Sequence, residues 1–404
     1  MNIDNNLTEK NPAPASLTKM KEGRSQSGLR AYNERKIMSV IRAIGEAPKS
    51  EISKITGLSA QAATVIIKSL EAEQLVIRKE PQRGRVGQPL VPFALNPDGA
   101  FGIGLTIGRR SFEMTLIDFL GNVRASLHEN FAYPKVVDLV VFIEKGISTL
   151  TLSLPSELAE KIKGIGIATP NEIWHWAEES GAPSVVLAQW KEFDFIEEIG
   201  QISDLPVYVC NDDTAACSAE LSFGNPTGVS DFLYIFIGTF IGGGLVINGQ
   251  LLAGKKGNAG AIGSLPLPSI ATDGTLKSQQ LIMKSSIHIL EKMLADAGHN
   301  TDVISGDYES WGDLGEVLAL WIDNVAQGLA YATICSCAIF DFEAVVIDGA
   351  IPESVRQKIV ERTKQMVNES DLRGLSPINI ISGVIGGKAQ SIGSANLPLL
   401  ANYY

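Results

Sequence analysis

The chain has 404 residues, 45% hydrophobic and 20% charged, with a formal net charge of −11. That length leaves room for two or three domains, and the composition is that of an ordinary soluble globular protein. No apolar run approaches the ~20 residues that span a bilayer. The polar start MNIDNNLTEKNPAPASLTKMKEG lacks the apolar core of a signal peptide. The sequence therefore reads as a cytoplasmic protein with no membrane partner.

Charge is unevenly spread. Residues 1–100 carry 15 Lys/Arg against 10 Asp/Glu, a balance of +5, and the rest carry 19 against 35, a balance of −16. A basic head on an acidic body points to a nucleic-acid-binding module joined to something else. The four cysteines, Cys210, Cys217, Cys335 and Cys337, form no CxxC pair and precede no histidine at zinc spacing. They read as buried free thiols, and no metal or other cofactor is expected.

Residues 1–33 show no periodicity, and a flexible tail is assigned to residues 1–28. In residues 34–46, ERKIMSVIRAIGE, the spacing of Ile37, Val40, Ile41 and Ile44 predicts one helical face. Ser50 can cap a short helix through Ile55, and Thr56-Gly57-Leu58 makes a tight turn. Ser59 caps a third helix to about Glu73, with Ala63, Ile66, Ile67 and Leu70 inward. Ala60, Gln61, Thr64, Val65 and Lys68 then face outward. This is the helix-turn-helix arrangement, whose second helix enters the major groove. Gln61 and Thr64 can hydrogen-bond base edges, Ala60 and Val65 can touch thymine methyls, and Lys68 suits a phosphate. Strand-like Leu75–Lys79 and Leu90–Leu95 frame a wing whose tip carries Arg83 and Arg85, fit for phosphates or a narrow minor groove. The alternatives are a helical bundle that binds protein and a solvated surface hairpin. The predicted DNA-binding domain is residues 29–97.

From Ala100 the pattern changes. FGIGLTIG, SFEMTLID and FLGNVRASLHENF predict three successive strands, residues 136–163 a helix, and IKGIGIAT (162–169) a buried strand. PVYVCNDDTAACSAEL (206–221) predicts a strand running into a helix, with Asn211 and Asp212 at the junction. Polar groups at strand ends can grip a ligand; the plainer reading makes Asp212 or Asp213 a helix cap.

Leu233–Ile237 predicts a strand that breaks into the loop Gly238-Thr239-Phe240-Ile241-Gly242-Gly243-Gly244. A second apolar run, Leu245–Ile247, ends at the hairpin signal Asn248-Gly249. Gly254, Gly257, Gly260 and Gly263 follow. Glycine at this density suits sharp turns or close approach, and so a phosphate- or sugar-sized pocket, unless the hairpin holds no ligand. Helices are predicted over 276–298, 313–339 and 352–369, strands over 344–351 and 378–384, and a last helix from GGKAQSIGSANLPLL. Strand sets followed by helices, occurring twice, predict two similar α/β lobes.

With VYVCNDDTAACSAELSFG, IGTFIGGGLVINGQLLAGKKGNAGAIGSLPL and the joint GRVGQP–VPFALNPDGA in order, the chain resembles the ROK family (repressors, open reading frames and sugar kinases). Within it, the resemblance is to helix-turn-helix transcriptional regulators of the Mlc/NagC/XylR type, over roughly residues 24–404. The resemblance implies a winged helix-turn-helix followed by a two-lobed actin/hexokinase-like (ribonuclease H-like) domain. Lobe 1 is expected at 98–225 and lobe 2 at 226–404, with the last helix returning to lobe 1. It implies an effector site using Asn211, Asp212, Trp190, Gly260 and Ser264, with Asp212 at the kinases' catalytic base. Trp174, His175 and Trp176 fall in segments that face or flank the family's cleft, where packing is an equal reading.

Departures from the pattern shape the function. Where family kinases carry an aspartate in D-x-G-x-T, this chain has Thr106-Ile107-Gly108-Arg109-Arg110. The Glu and His of the family's AGExGH align with Ala261 and Ser264, and LPLPSIATDGTLKSQQLI replaces the zinc-binding cysteines. The resemblance therefore implies a non-enzymatic repressor of carbohydrate-related genes. It would bind a double-stranded operator as a homodimer or homotetramer and respond to a sugar or sugar derivative. A sugar kinase with a fused DNA-binding domain, and a regulator controlled by a protein partner, are the alternatives.

Overall fold

Helix α1 (Gln26–Ile44) buries Ile37, Met38 and Ile41 against α2 (Lys49–Thr56) and α3 (Ala60–Ala72). The computed structural model describes residues 26–81, 90–175, 177, 181–224, 228–270, 274–304 and 310–404. Arg83, Arg85 and Trp176 lie outside them. α1 starts earlier than the tail assignment allowed. Its first two turns expose Leu29 and Tyr32, so no core-facing stripe marks them; Arg30 pairs instead with Glu34 at 2.8 Å and donates to Ser69 Oγ at 2.7 Å. A small sheet closes the unit: β1 (Glu46–Pro48) and β2 (Val76–Arg78) flank β3 (Pro92–Leu95). β1 was not legible in the sequence, because three residues are too few to show a period.

Two five-stranded sheets with the same plan follow. In lobe 1, β4 (Phe101–Ile107), β5 (Ser111–Ile117) and β6 (Val123–Asn130) form an antiparallel set. β7 (Ile162–Thr169) and β8 (Val207–Asn211) extend it in parallel, in the order β6-β5-β4-β7-β8. In lobe 2, β9 (Phe232–Ile237), β10 (Ile241–Ile247) and β11 (Gln250–Leu252) are extended by β14 (Ala344–Gly349) and β15 (Ile380–Ser382), in the order β11-β10-β9-β14-β15. The central strands β4, β9 and β14 are buried throughout, as their near-continuous apolar runs require.

Helix α4 (Val136–Leu152) packs Leu139, Phe142, Ile143 and Leu150 on lobe 1. It is shorter than the predicted 136–163 because Pro155 cannot continue a helix. Helix α5 (Asp212–Ala219) leaves β8 and crosses to lie on β10 of lobe 2. That crossing explains Gly242-Gly243-Gly244, which form part of strand β10 and not a loop. A Cβ at Gly242 would collide with the Asp213 carboxylate, and one at Gly244 would reach the Cys217 side chain.

Residues 276–280 are also corrected, from helix to strand β13 (Leu276–Gln280), which pairs with β12 (Pro266–Ile270). Helix α6 (Ile287–Asp296) follows. Helix α7 (Gly315–Phe340) is long and apolar enough, by length and composition, to cross a membrane, although polar residues interrupt it. It is the core helix of lobe 2, burying Trp321, Val325 and Leu329. Helix α8 (Glu353–Asn368) covers β14 and β15, and α9 (Ala389–Tyr403) turns back onto β4 and β7 of lobe 1.

Candidate functional site

The helix-turn-helix is built by local chemistry. Gly57 ends α2 at φ 69°, a left-handed conformation glycine adopts without strain. Ser53 Oγ donates to Leu58 O at 2.6 Å, and Ser59 Oγ accepts from Ala62 N at 3.1 Å to cap α3. Ala63, Ile66, Ile67 and Leu70 are buried. On the opposite side Ser59, Ala60, Gln61, Val65 and Lys68 are exposed and Thr64 is half-buried. Val65 stands 62% exposed on this face, as single apolar side chains commonly do on a folded surface.

Between the lobes a cleft of about 770 Å³ opens at the carboxyl ends of the parallel strands. Its floor is the start of α5. Asn211 is the cap there, not Asp212 or Asp213. Asn211 Oδ1 accepts from Asp213 N at 3.1 Å and Thr214 N at 3.3 Å, and its Nδ2 donates to Asp212 Oδ1 at 2.9 Å. Those bonds fix the Asp212 carboxylate toward the cleft. Gln390, on the first turn of α9, donates to Asp212 Oδ2 at 3.3 Å and to Asp213 Oδ1 at 3.4 Å.

Burial raises both acids. Asp212 reaches about 6, held from going higher by the Arg109 guanidinium and by local hydrogen bonds. Asp213 lies well above the usual carboxylate range, through burial and then the Asp212 charge beside it. Burial thus disfavours charge on both acids, and the Arg109 guanidinium favours it. Arg109 reaches from the β4–β5 turn of lobe 1 over the ring of Phe240 in lobe 2, and Arg110 pairs with Glu291 of α6 at 3.2 Å. Both arginines thus bridge the cleft.

Asn211, Asp212 and Ser264 line the cleft, with Thr106, Arg109, Ala261 and His175. Two expected site residues do not. Trp190 is buried in the lobe 1 core, its indole N–H donating to Pro134 O at 3.1 Å, because the segment after β7 folds back on α4. Gly260, at φ 82°, serves close approach: a Cβ there would sit 2.7 Å from Gly244 Cα. Trp174 also packs on the lobe 1 core. Asp213, Phe240 and Gln390 were not singled out as site residues. Gln390 is 178 positions from Asp212, so only the fold could join them.

Two lobes of the same plan around a polar cleft make a hexokinase-like fold. Residues 102–280 match the family model described as the ROK family. It is similar to the xylose repressor of Caldicellulosiruptor bescii, at 27% identity over 72% of each chain. Among solved structures it resembles a ROK family transcriptional regulator, a homologue of the E. coli Mlc protein (TM-score 0.63, 19% identity, 93% of this chain and 97% of that one). It also resembles a ROK family glucokinase from Streptomyces griseus bound to glucose and AMPPNP (TM-score 0.55, 20% identity, 74% and 99%). The glucokinase likeness omits a quarter of this chain, whereas the regulator likeness extends over nearly all of it.

Proposed function

We propose that this chain is a cytoplasmic DNA-binding transcriptional repressor whose affinity for its operator is set by a sugar-like effector held between the lobes. One observation carries the reading: an exposed recognition face on α3 belongs to a unit that shares a core with the lobe bearing the cleft. Gln61 and Thr64 read base edges, Ala60 and Val65 meet thymine methyls, and Ser59 and Lys68 hold phosphates. Arg83 and Arg85 extend the contact from the wing. Asn211, Asp212 and Ser264 face the effector's hydroxyls. Relatives named as xylose repressors make pentoses the first class to test. Loss of the Glu and His at Ala261 and Ser264 favours a ligand other than a plain hexose.

The chain works as a homodimer or homotetramer on a pseudo-palindromic site. Residues 29–97 are its DNA-binding domain, and 98–225 and 226–404 are its two lobes. The domain is not a kinase in this reading. Thr106 cannot supply the carboxylate that holds Mg²⁺ beside a nucleotide, and Arg109 places a fixed positive charge next to Asp212.

The test is anisotropy of the full chain on duplexes from its own upstream region, at fixed salt, with D-xylose, other pentoses, hexoses and sugar phosphates added in turn. Specific binding weakened by one compound is expected. Lys68→Ala should weaken every duplex evenly and lower the salt slope by about one. Gln61→Ala should cost ~1–3 kcal/mol of discrimination at one base pair. Absence of specific binding to any fragment of a genomic pool would remove the repressor reading, and ATP-dependent sugar phosphorylation would restore the kinase.

A further inference from the structure

Helix α9 touches both functional regions. Its first turn lines the cleft with Gln390 and Ser391, and Gln390 bridges the two floor carboxylates. Its last turn lies against the DNA-binding unit. Arg35 Nη2 donates to Ala401 O at 3.2 Å, and the Arg42 guanidinium stands 3.4 Å from the centre of the Tyr404 ring. Phe119, at the end of lobe 1's β-hairpin, packs on Tyr403 and Tyr404 with ring centres 4.9 and 5.7 Å apart. Ile37, Met38 and Ile41 of α1 share one apolar core with Ala395 and Leu399 of α9.

Between its ends α9 is closely held. Gly102, Gly104 and Gly166 of β4 and β7 leave no room for a Cβ against its backbone at Ser394 and Ala395, and its own Gly393 abuts Ala215 O of α5. Asn396 Nδ2 donates to Ser218 O and Ser222 Oγ at the end of α5. A helix seated backbone to backbone cannot absorb a shift at one end by repacking side chains. The fifteen residues of α9 span about 22 Å, with Pro398 in the last turns before the contact with α1.

We propose that Gln390 is a positioning residue that reports the state of the Asp212–Asp213 pair to the DNA-binding unit, through α9 and the Tyr403–Tyr404 contact with α1. An effector hydroxyl that takes over Asp212 Oδ2 displaces the Gln390 amide and moves the start of α9. This rests on the reading of the cleft as the effector site. It requires that the two ends be energetically coupled even without effector or DNA.

The test is amide hydrogen exchange on the full chain, read in peptides from α1, α3, β9 and the cleft. Gln390→Ala is expected to speed exchange in α1 and α3 at least threefold, with β9 unchanged. Arg42→Gln, which cuts the far contact and leaves the core intact, should speed α1 and α3 similarly. The double variant should show no more than the larger single effect. Tyr404→Phe, which keeps the ring, should match the wild type. A Gln390→Ala effect confined to cleft peptides, or fully additive effects in the double variant, would overturn the proposal. Because the measurement uses neither DNA nor sugar, loss of the repressor reading would appear in the binding titration and not here.

Discussion

Asp212 sits on the floor of the cleft in an unusual electrostatic setting. Its neighbours are a second carboxyl, an amide and a guanidinium, and no other acid stands at Thr106. The guanidinium of Arg109 opposes the rise that burial imposes on Asp212. Arg109→Ala is therefore expected to lift the Asp212 carboxyl above its value of about 6, measurable as a shifted midpoint in a carboxyl-carbon NMR titration. An unchanged midpoint would mean that Arg109 does not act on the pair. Arg110 is a different case: its link to Glu291 is largely exposed, and such pairs contribute ~0–1 kcal/mol.

At the scale of elements, glycine sets how closely helices approach sheets. The sequence displayed the glycines but not their purpose. Gly242 and Gly244 sit in an extended strand because α5 lies on it, and Gly104 sits in β4 because α9 does. Gly104→Ala would drive a Cβ into Ser394 and the Ala395 backbone. The expected cost is about 2 kcal/mol or more, seen as a lower urea midpoint with an unchanged slope. A change within about 0.5 kcal/mol would show that α9 can lift off the sheet at little cost, against the ordinary price of overpacking. The helix-turn-helix, in contrast, was legible in the sequence, except that α2 starts at Lys49 behind Pro48, so Ser50 lies inside it and does not cap it. Its inward face, its Ser59 cap and its Gly57 turn depend on neighbours within four positions.

At the scale of the molecule, the lobes meet through a buried polar joint. Glu220, just past α5, accepts from Val384 N at 3.1 Å in the turn after β15. Nearby, Asp348 accepts from Tyr234 OH, Arg356 Nη1 and Gly386 N, each at 3.0 Å. Burial, and then the Asp348 charge, push Glu220 to about 7 from an ordinary 4.5. The folded chain thus holds a proton that the unfolded chain loses, and stability falls as pH rises from about 4.5 to 7. Glu220→Gln removes that penalty. Its gain over the wild type should be absent below pH ~4.5, grow to at most ~3 kcal/mol near pH 7, and then level off. Thermal unfolding across that range checks it; a gain that shrinks with rising pH would contradict the sign.

Sequence by itself determined the local and the repetitive. Period-3.6 and near-continuous apolar patterns, capping residues and turn glycines are short-range physics, and they specified the helix-turn-helix, the central strands and the duplicated plan. The Asn211-Asp212 junction was also visible, because a strand end followed by a helix cap is written in consecutive residues. Tertiary structure alone decided the rest. Trp190 went to the core because α4 and the segment after β7 enclose it. Residues 276–280 became a strand because β12 was there to pair with them. Gln390 met Asp212, and Arg42 met Tyr404, across 178 and 362 positions, by the return of α9 to lobe 1. A contact between distant segments depends on how far each helix and sheet can approach the next, and that distance is a property of packing, which no window of sequence contains.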